Sequence, residues 1–436
     1  MKKQEEQISS WQSFVSWIDK MKTKASLEKK VFEGIKVVEF AWVYVGPATS
    51  KYLSDHGATV VKVESHKRPE NLRVMPPFAE GKPGINRSMF FGRTNSNKYS
   101  TSLDLKHPKG KELAWKLIKW ADIVTESFAP GVMKKLGLDY DSVKKIKPDV
   151  IYFSTSMQGQ SGPHASYRGF GSLPAAFGGF LGLSGWPGQK PLAPHGAYID
   201  YLSARFSSTA LIAALEYRRK TGKGQWIEQS QFETSLHFLS PLLLDYSVNG
   251  RIAEKSGNRL AYTAPHGVYR CKGNDRWVAI TVSTDNQWKS FCKIIDKNND
   301  FYKESKFSTL LERKKNEDEL DRLIEQWTVN YTDKQAEEIM QEAGIPAHMV
   351  AKSSDVLNDS QLKHRGYFKR LNHREMGKPA YENQACYILS EAPREQTLPS
   401  PCLGEHNEYV YKELLGMTDE EITEHINEGS ITTQLV

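Results

Sequence analysis

Residues 34–40, Gly34-Ile35-Lys36-Val37-Val38-Glu39-Phe40, and 57–64, Gly57-Ala58-Thr59-Val60-Val61-Lys62-Val63-Glu64, decide the fold. The two β-branched runs enclose Gly46-Pro47 and a helical stretch over 48–56, which Gly57 closes. Strand, helix and strand fit in about 30 residues, the size of a βαβ unit, and such a crossover joins parallel strands. The rhythm continues with a strand at 102–105, a helix at 107–120, strands at 122–124 and 150–154, a long helix at 201–220 and a strand at 225–228. The expected fold class is α/β, a doubly wound, Rossmann-like parallel-sheet domain followed by a smaller α+β domain. That second domain is expected around a hairpin of 267–271 and 277–282, turning at Gly273-Asn274-Asp275. The expected boundaries are a helical extension at 1–30, a large domain at 31–256, a small domain at 257–385 and a C-terminal segment at 386–436 that returns to the large domain.

Length and composition narrow the function. The 436 residues exceed one average domain, and 39 % hydrophobic, 11 % aromatic and 25 % charged residues describe a folded chain. Lys and Arg total 59 against 52 Asp and Glu. The resulting +7 suits a small anionic ligand, phosphate-bearing ones included, and falls short of a nucleic-acid-binding balance. Cys271, Cys292, Cys386 and Cys402 form no CxxC pair, so neither a disulfide framework nor a zinc site is expected, and a reducing cytoplasm fits. The most apolar stretch, 174–183, is too short for the ~20 residues of a membrane span, and the N-terminus lacks the pattern of a signal peptide. Trp11, Phe14, Val15, Ile18 and Met21 instead repeat at helical spacing, so 8–24 reads as an amphipathic helix docked on protein.

Several chemistries lack their signatures. Ala41-Trp42-Val43-Tyr44-Val45-Gly46-Pro47 has one glycine where G-x-G-x-x-G needs three, which excludes a dinucleotide site. P-loop, H-E-x-x-H and G-x-S-x-G patterns are also missing. Asp200 follows the Gly-rich residues 169–188 and sits at or just before the start of the long helix. Aspartate in that place commonly caps a helix, and the pattern alone leaves capping and chemistry both open.

Six strings then carry a resemblance over residues 31–430. They are Gly46-Pro47, Val61-Lys62-Val63-Glu64, residues 97–106 (NKYSTSLDLK), Glu126-Ser127-Phe128-Ala129-Pro130-Gly131, residues 218–225 (RRKTGKGQ) and Leu403-Gly404-Glu405-His406. In this order they resemble the class III CoA-transferases, typified by the formyl-CoA, carnitine and benzylsuccinate CoA-transferases. The resemblance implies an interlocked dimer, a homodimer or a pair with a paralogous subunit. It also implies acyl-CoA and carboxylic-acid substrates, coenzyme A as co-substrate, no metal, and membership of EC 2.8.3.

The resemblance places the nucleophile at Asp200, through an aspartyl anhydride and an aspartyl-CoA thioester. It places the first-loop backbone, Val43, Tyr44 and Val45, at the CoA thioester. Arg73, Lys98, Lys135 and Arg168 become candidates for the CoA phosphates, and Leu103 and Phe128 for the adenine or pantetheine wall. The family's glycine run in the second domain is absent; Gly257-Asn258-Arg259 or Pro265-His266-Gly267 stands in its place. Trp42 and Tyr44 replace smaller or polar groups, which implies a bulkier or more apolar acid than formate or oxalate. Gly171 stands where many transferases carry an acidic residue. The expected reaction moves CoA from a donor such as succinyl-CoA to another organic acid. One alternative is a 2-methylacyl-CoA racemase or isomerase, although the racemase histidine matches Phe170 here and His164 and His195 are its nearest replacements. Another is a CoA-binding subunit active only beside a paralogous partner.

Overall fold

The computed structural model describes residues 30–295, 305–382 and 386–433. The helix expected at 8–24 lies outside these residues. They form two compact units. The first takes in the chain up to Gly178, His195–Pro241 and the segment from Gly366; the second takes in Gly179–Pro194 and Leu242–Arg365. The expected return of the C-terminal segment to the large domain makes the first unit discontinuous in the sequence reading too; by compactness the breaks fall at 241/242 and 365/366 rather than at 256/257 and 385/386, and the second unit also takes in Gly179–Pro194. Gly179–Pro194 joins the second unit through Gly257, whose N–H donates to Gly185 O at 3.1 Å. A Cβ on Gly257 would stand 2.4 Å from the Trp186 ring.

In the first unit the strands are β1 (Lys36–Glu39), β2 (Thr59–Glu64), β3 (Tyr99–Ser102), β4 (Ile123–Glu126), β5 (Ile151–Ser156) and β6 (Gln225–Ser230), all parallel, in the order β3-β2-β1-β4-β5-β6. The helices used below are α1 (Val45–Asp55), α2 (Met89–Asn95), α3 (Pro108–Trp120), α4 (Val132–Leu136), α5 (Tyr198–Thr221) and α6 (Gln231–Leu236). Alternation along each strand sends neighbouring residues to opposite faces. Val37, Val60, Ile123, Ile151 and Phe153 pack against Leu53 of α1 and Leu211 of α5. Val38, Val61, Val124 and Tyr152 pack against Leu113 and Leu117 of α3 and against Val410 and Tyr411 of the C-terminal segment. Both faces are covered, so the fold is the expected α/β class.

One strand differs from expectation. β3 begins and ends three residues before the expected 102–105, at Tyr99–Ser102, because it is held by polar groups that hydrophobic alternation does not register. Ser100 Oγ donates to Glu64 and Ser102 N–H to Asn407 Oδ1 at 2.8 Å. The second unit contains the expected hairpin, β7 (His266–Arg270) and β8 (Trp277–Thr281), with β9 (Ala347–Met349) completing an antiparallel sheet. Trp288, Phe291, Leu320, Ile324 and Met340 form its core.

Beneath the C-terminal ends of β1 and β2 lies a closed set of charges: Glu39, Glu64 and Glu70 with Lys62, Arg73 and Lys98, none more than 2 % exposed. Lys62 bridges Glu39 at 2.9 Å and Glu70 at 2.5 Å, and Lys98 reaches Glu39 at 2.9 Å. Arg73 makes two 2.7 Å bonds to Glu64 and spends its other donors on Ile85 O, Asn86 Oδ1 and Pro401 O. Three surrounding carboxylates raise the Lys62 pKa in spite of its burial, whereas burial outweighs Glu39 at Lys98 and pushes it down to about 8. Removing one member strands its partner without solvent, at a typical cost of 3–5 kcal/mol or so. Arg73→Met is therefore expected to lower unfolding stability by roughly 3–5 kcal/mol in urea titrations. A variant of native stability with only a raised KM for acyl-CoA would show Arg73 to be a ligand instead.

Candidate active site

The strand order reverses direction between β1 and β4, and in open parallel sheets ligands bind outside the carboxyl ends of the strands at such a switch point. Here the loops after β1 and β4 are locked together. Ser127 Oγ accepts the Trp42 N–H at 2.8 Å and donates to Trp42 O at 3.0 Å. Val43 then takes φ 67°, a left-handed conformation that costs a β-branched residue roughly 1–3 kcal/mol. Its N–H is held by Glu70 Oε1 at 3.0 Å, so the charged set at the ends of β1 and β2 fixes the strained residue. Gly46 is required for the turn into α1, since a Cβ there would lie 2.2 Å from the Ala41 Cβ.

A cavity of about 140 Å³ opens at this point, lined by Trp42, Val43, Tyr44, Val45 and Ser127, by Thr155 and Ser156 at the end of β5 and Met157 just after it, and by Gly169, Phe170, Gly171, Pro174, Asp200 and Gln231. The start of α1 is on its wall, and the first N–H groups of a helix have no intrahelical acceptor, which makes them natural donors to an oxyanion. Asp200 lies in the first turn of α5; the cap position is Ala197, so Asp200 is not the cap. The two helix starts are held side by side by aromatic packing. Tyr44 and Tyr201 meet edge to face at 4.6 Å, and Arg93, anchored on Glu382 at 2.5 Å, lies over both rings.

Asp200 is 8 % exposed, and its carboxyl accepts no hydrogen bond among the described residues. Burial alone pushes its pKa from 3.8 up to about 7. Loss of solvation makes the carboxylate more basic and more nucleophilic than a surface aspartate while leaving a large fraction ionised near neutral pH.

The other residues expected at the site divide into two groups. Val43, Tyr44 and Val45 line the cavity with Asp200, as do Trp42, Phe170 and Gly171. Phe128 packs on the Trp42 ring at 5.6 Å. Arg168 is exposed beside Gly169. Arg73 and Lys98 are not available to a phosphate, because both are fully buried and their donors are taken up internally. Leu103 is 1 % exposed within the core and forms no ligand wall. Lys135 is exposed on α4, and its neighbour Lys134 is the one that lines a cavity. Neither His164 nor His195 lines the Asp200 cavity. In the second unit Arg259 is tied to Asp318 and Asp321 at 2.7 Å.

Sequence reasoning missed Ser127, Ser156 and Gln231 on the cavity wall; the polar run Ser154-Thr155-Ser156 closing an apolar strand was the available signal. A larger cavity of about 290 Å³ is lined by Glu126, Tyr152, Ser154, Trp226 and Lys134, among others. Burial pushes Glu126 up to about 7 as well. Its size does not make it the reaction site, since Asp200 and the start of α1 face the smaller one.

Residues 32–407 match the pattern of CoA-transferase family III, and the chain belongs to that family. It is thus a CoA-transferase, an enzyme of the EC 2.8.3 group acting on acyl-CoA substrates. It is 28 % identical over 396 residues to the succinyl-CoA–D-citramalate CoA-transferase of Chloroflexus aurantiacus, spanning 89 % of this chain and 95 % of that protein. Identity to the succinate–glutarate CoA-transferase of Agrobacterium fabrum is 29 % over 388 residues, spanning 88 % and 96 %. The crystal structure of a CAIB/BAIF family protein from Brucella suis superposes with a TM-score of 0.81 at 28 % identity, covering 89 % of this chain and all of that one (100 %).

A raised carboxyl pKa contributes stability that is complete below the unfolded value near 4 and is lost as pH rises through about 7. Asp200→Asn, which cannot ionise, is expected to gain on the wild type by roughly 2 kcal/mol between pH 5 and pH 8. Urea midpoints at the two pH values measure this, and an advantage that stays constant with pH would mean that the carboxyl is solvated.

Proposed function

We propose that the chain transfers CoA from an acyl-CoA donor to a free carboxylic acid with Asp200 as the covalent nucleophile. The buried, unpartnered carboxylate on a cavity wall beside the start of a helix is the observation that carries this reading. One Asp200 Oδ attacks the donor thioester carbonyl, the C–S bond breaks, and CoA leaves as thiolate. The thiolate then attacks the Asp200 carbonyl of the mixed anhydride and releases the donor acid, leaving an aspartyl-CoA thioester. The acceptor carboxylate attacks that thioester, CoA departs again, and its return to the acceptor carbonyl frees Asp200. No proton is lost or gained over the cycle. Each tetrahedral oxyanion needs preorganised donors, a role that falls to the N–H groups at the start of α1 on the same cavity wall. Succinyl-CoA is the first donor to try, since relatives are named for it or for succinate.

The residue at 170 argues against racemisation. Phenylalanine transfers no proton, and no histidine lines the cavity. Residues 240–249 form a helix with no buried residue, on which Leu243, Leu244 and Val248 are 48–78 % exposed. Such a contiguous apolar surface supports a dimer with a second copy or a paralogous subunit. Trp42, Tyr44 and Phe170 support an acid larger than formate or oxalate, aromatic or branched acids such as benzylsuccinate included.

Incubation with succinyl-CoA, a hydroxylamine trap and peptide mass spectrometry test the nucleophile. An adduct is expected on the peptide bearing Asp200 and on none other. Asp200→Ala is expected to lower transfer by more than about 10⁴-fold. In the wild type, kcat/KM for the donor should fall as pH drops through about 7, because the protonated carboxyl does not attack. An adduct elsewhere, or transfer retained in Asp200→Ala, removes Asp200 from this role.

A further inference from the structure

Tyr201 follows Asp200 in the first turn of α5, and Tyr44 precedes Val45, the first residue of α1. The placing of these two rings therefore sets how the nucleophile stands toward the N–H groups that open α1. Tyr44 is 2 % exposed and follows Val43, the residue at φ 67°. The Tyr201 ring reaches back over the loop before α5, where a Cβ on Gly196 would stand 2.7 Å from its hydroxyl oxygen. One guanidinium covers the contact between the rings: Arg93 Cζ lies 5.4 Å from the Tyr44 centroid and 4.7 Å from the Tyr201 centroid. A cation over an aromatic ring is attracted to it, so a single cation over two rings ties them together.

Arg93 is itself held at two points. Its Nε donates to Glu382 Oε1 at 2.5 Å, on the strand Ala380–Glu382 of the C-terminal segment. Its helix, α2, is capped by Ser88 at one end, and at the other Asn95 Oδ1 accepts from the buried Lys98 Nζ at 3.0 Å. The clamp is thus joined to the same charged set that holds Val43 through Glu70. Arg93 does not act on Asp200 as a charge, since burial alone raises the Asp200 pKa. What it governs is distance and angle, and for a carboxylate attacking a carbonyl a 1 Å misplacement costs on the order of 100-fold. Resting on the reading of Asp200 as the nucleophile, we propose that Arg93 is a positioning residue for the transfer. Acting through the Tyr44 and Tyr201 rings, it keeps Asp200 in line with the α1 N–H groups and sustains turnover rather than substrate binding.

The test uses the full-length protein and follows exchange of CoA between succinyl-CoA and isotopically labelled succinate, with acetyl-CoA and labelled acetate as a second pair. Arg93→Met keeps the bulk and removes the charge. It is expected to lower kcat, and the single-turnover rate of adduct formation on Asp200, by roughly 30- to 100-fold, with KM for the donor within about threefold of the wild type. Arg93→Lys, which returns a cation to the two rings, should recover about tenfold of that loss. Tyr201→Leu removes one ring of the clamp; combined with Arg93→Met it should lower kcat by no more than about threefold further, because residues in contact do not contribute independently. The pH midpoint of kcat/KM should stay at about 7 throughout. If Arg93→Met fails to fold, Glu382→Gln, which takes away the anchoring charge, should show the same fall in kcat without a rise in KM. A kcat within about threefold of the wild type, a loss confined to KM, fully multiplicative effects of the Arg93 and Tyr201 changes, or a shifted pH midpoint would each overturn the assignment while leaving the transferase reading intact. No exchange and no Asp200 adduct in the wild type would overturn both.

Discussion

Lys62 sits between Glu39 and Glu70 with no solvent contact, and the rest of the site depends on that arrangement. Glu70 is the acceptor for the N–H of Val43, a β-branched residue in the left-handed conformation. A strained loop persists only where its surroundings over-determine it. Here the determinant is electrostatic: moving Glu70 would leave Lys62 short of a partner in a place where water cannot substitute. The sheet supplies the positions, since Glu39 and Lys62 are register partners on β1 and β2. A set of ion pairs that adds little net stability thereby fixes a loop geometry that apolar packing would leave free to relax.

The same constraint separates the two carboxyl environments in the upper part of the sheet. Glu39, Glu64 and Glu70 are buried with counter-charges, so their position is fixed and their chemistry is silent. Asp200 is buried without one, which keeps it reactive and makes it costly to hold. Placing the charged partners below the loop and none above it gives the protein a rigid floor and a reactive wall. Stability lost at Asp200 is the ordinary counterpart of a functional carboxylate.

Much of the fold is legible because it rests on apolar periodicity. Val37, Val38, Val60 and Val61 announce two strands buried on both faces, and the hairpin at 266–281 is equally plain. Periodicity misplaces β3 by three residues because Tyr99, Ser100, Thr101 and Ser102 are held by side-chain hydrogen bonds to residues some 300 positions away. At the site, short strings lead to Asp200, Val43, Tyr44 and Val45. They fail for Arg73, Lys98 and Leu103, since a sequence displays a charge but not the carboxylate that neutralises it or the core that encloses an apolar side chain. Ser156 and Gln231 are distant in sequence and ordinary in type; only the pairing of β5 with β6 brings them together.

β3 is an outer strand of the sheet, and its free side is occupied by the C-terminal segment: His406 N–H donates to Ser100 O at 2.9 Å, Gly404 N–H to Ser100 Oγ at 3.0 Å, and Asp104 N–H to Ser430 O at 2.8 Å. An uncovered strand edge is a template for pairing with other chains. During synthesis the residues that cover β3 emerge some 300 positions after the strand they protect. A chain clipped near residue 400 would therefore expose an adhesive flank.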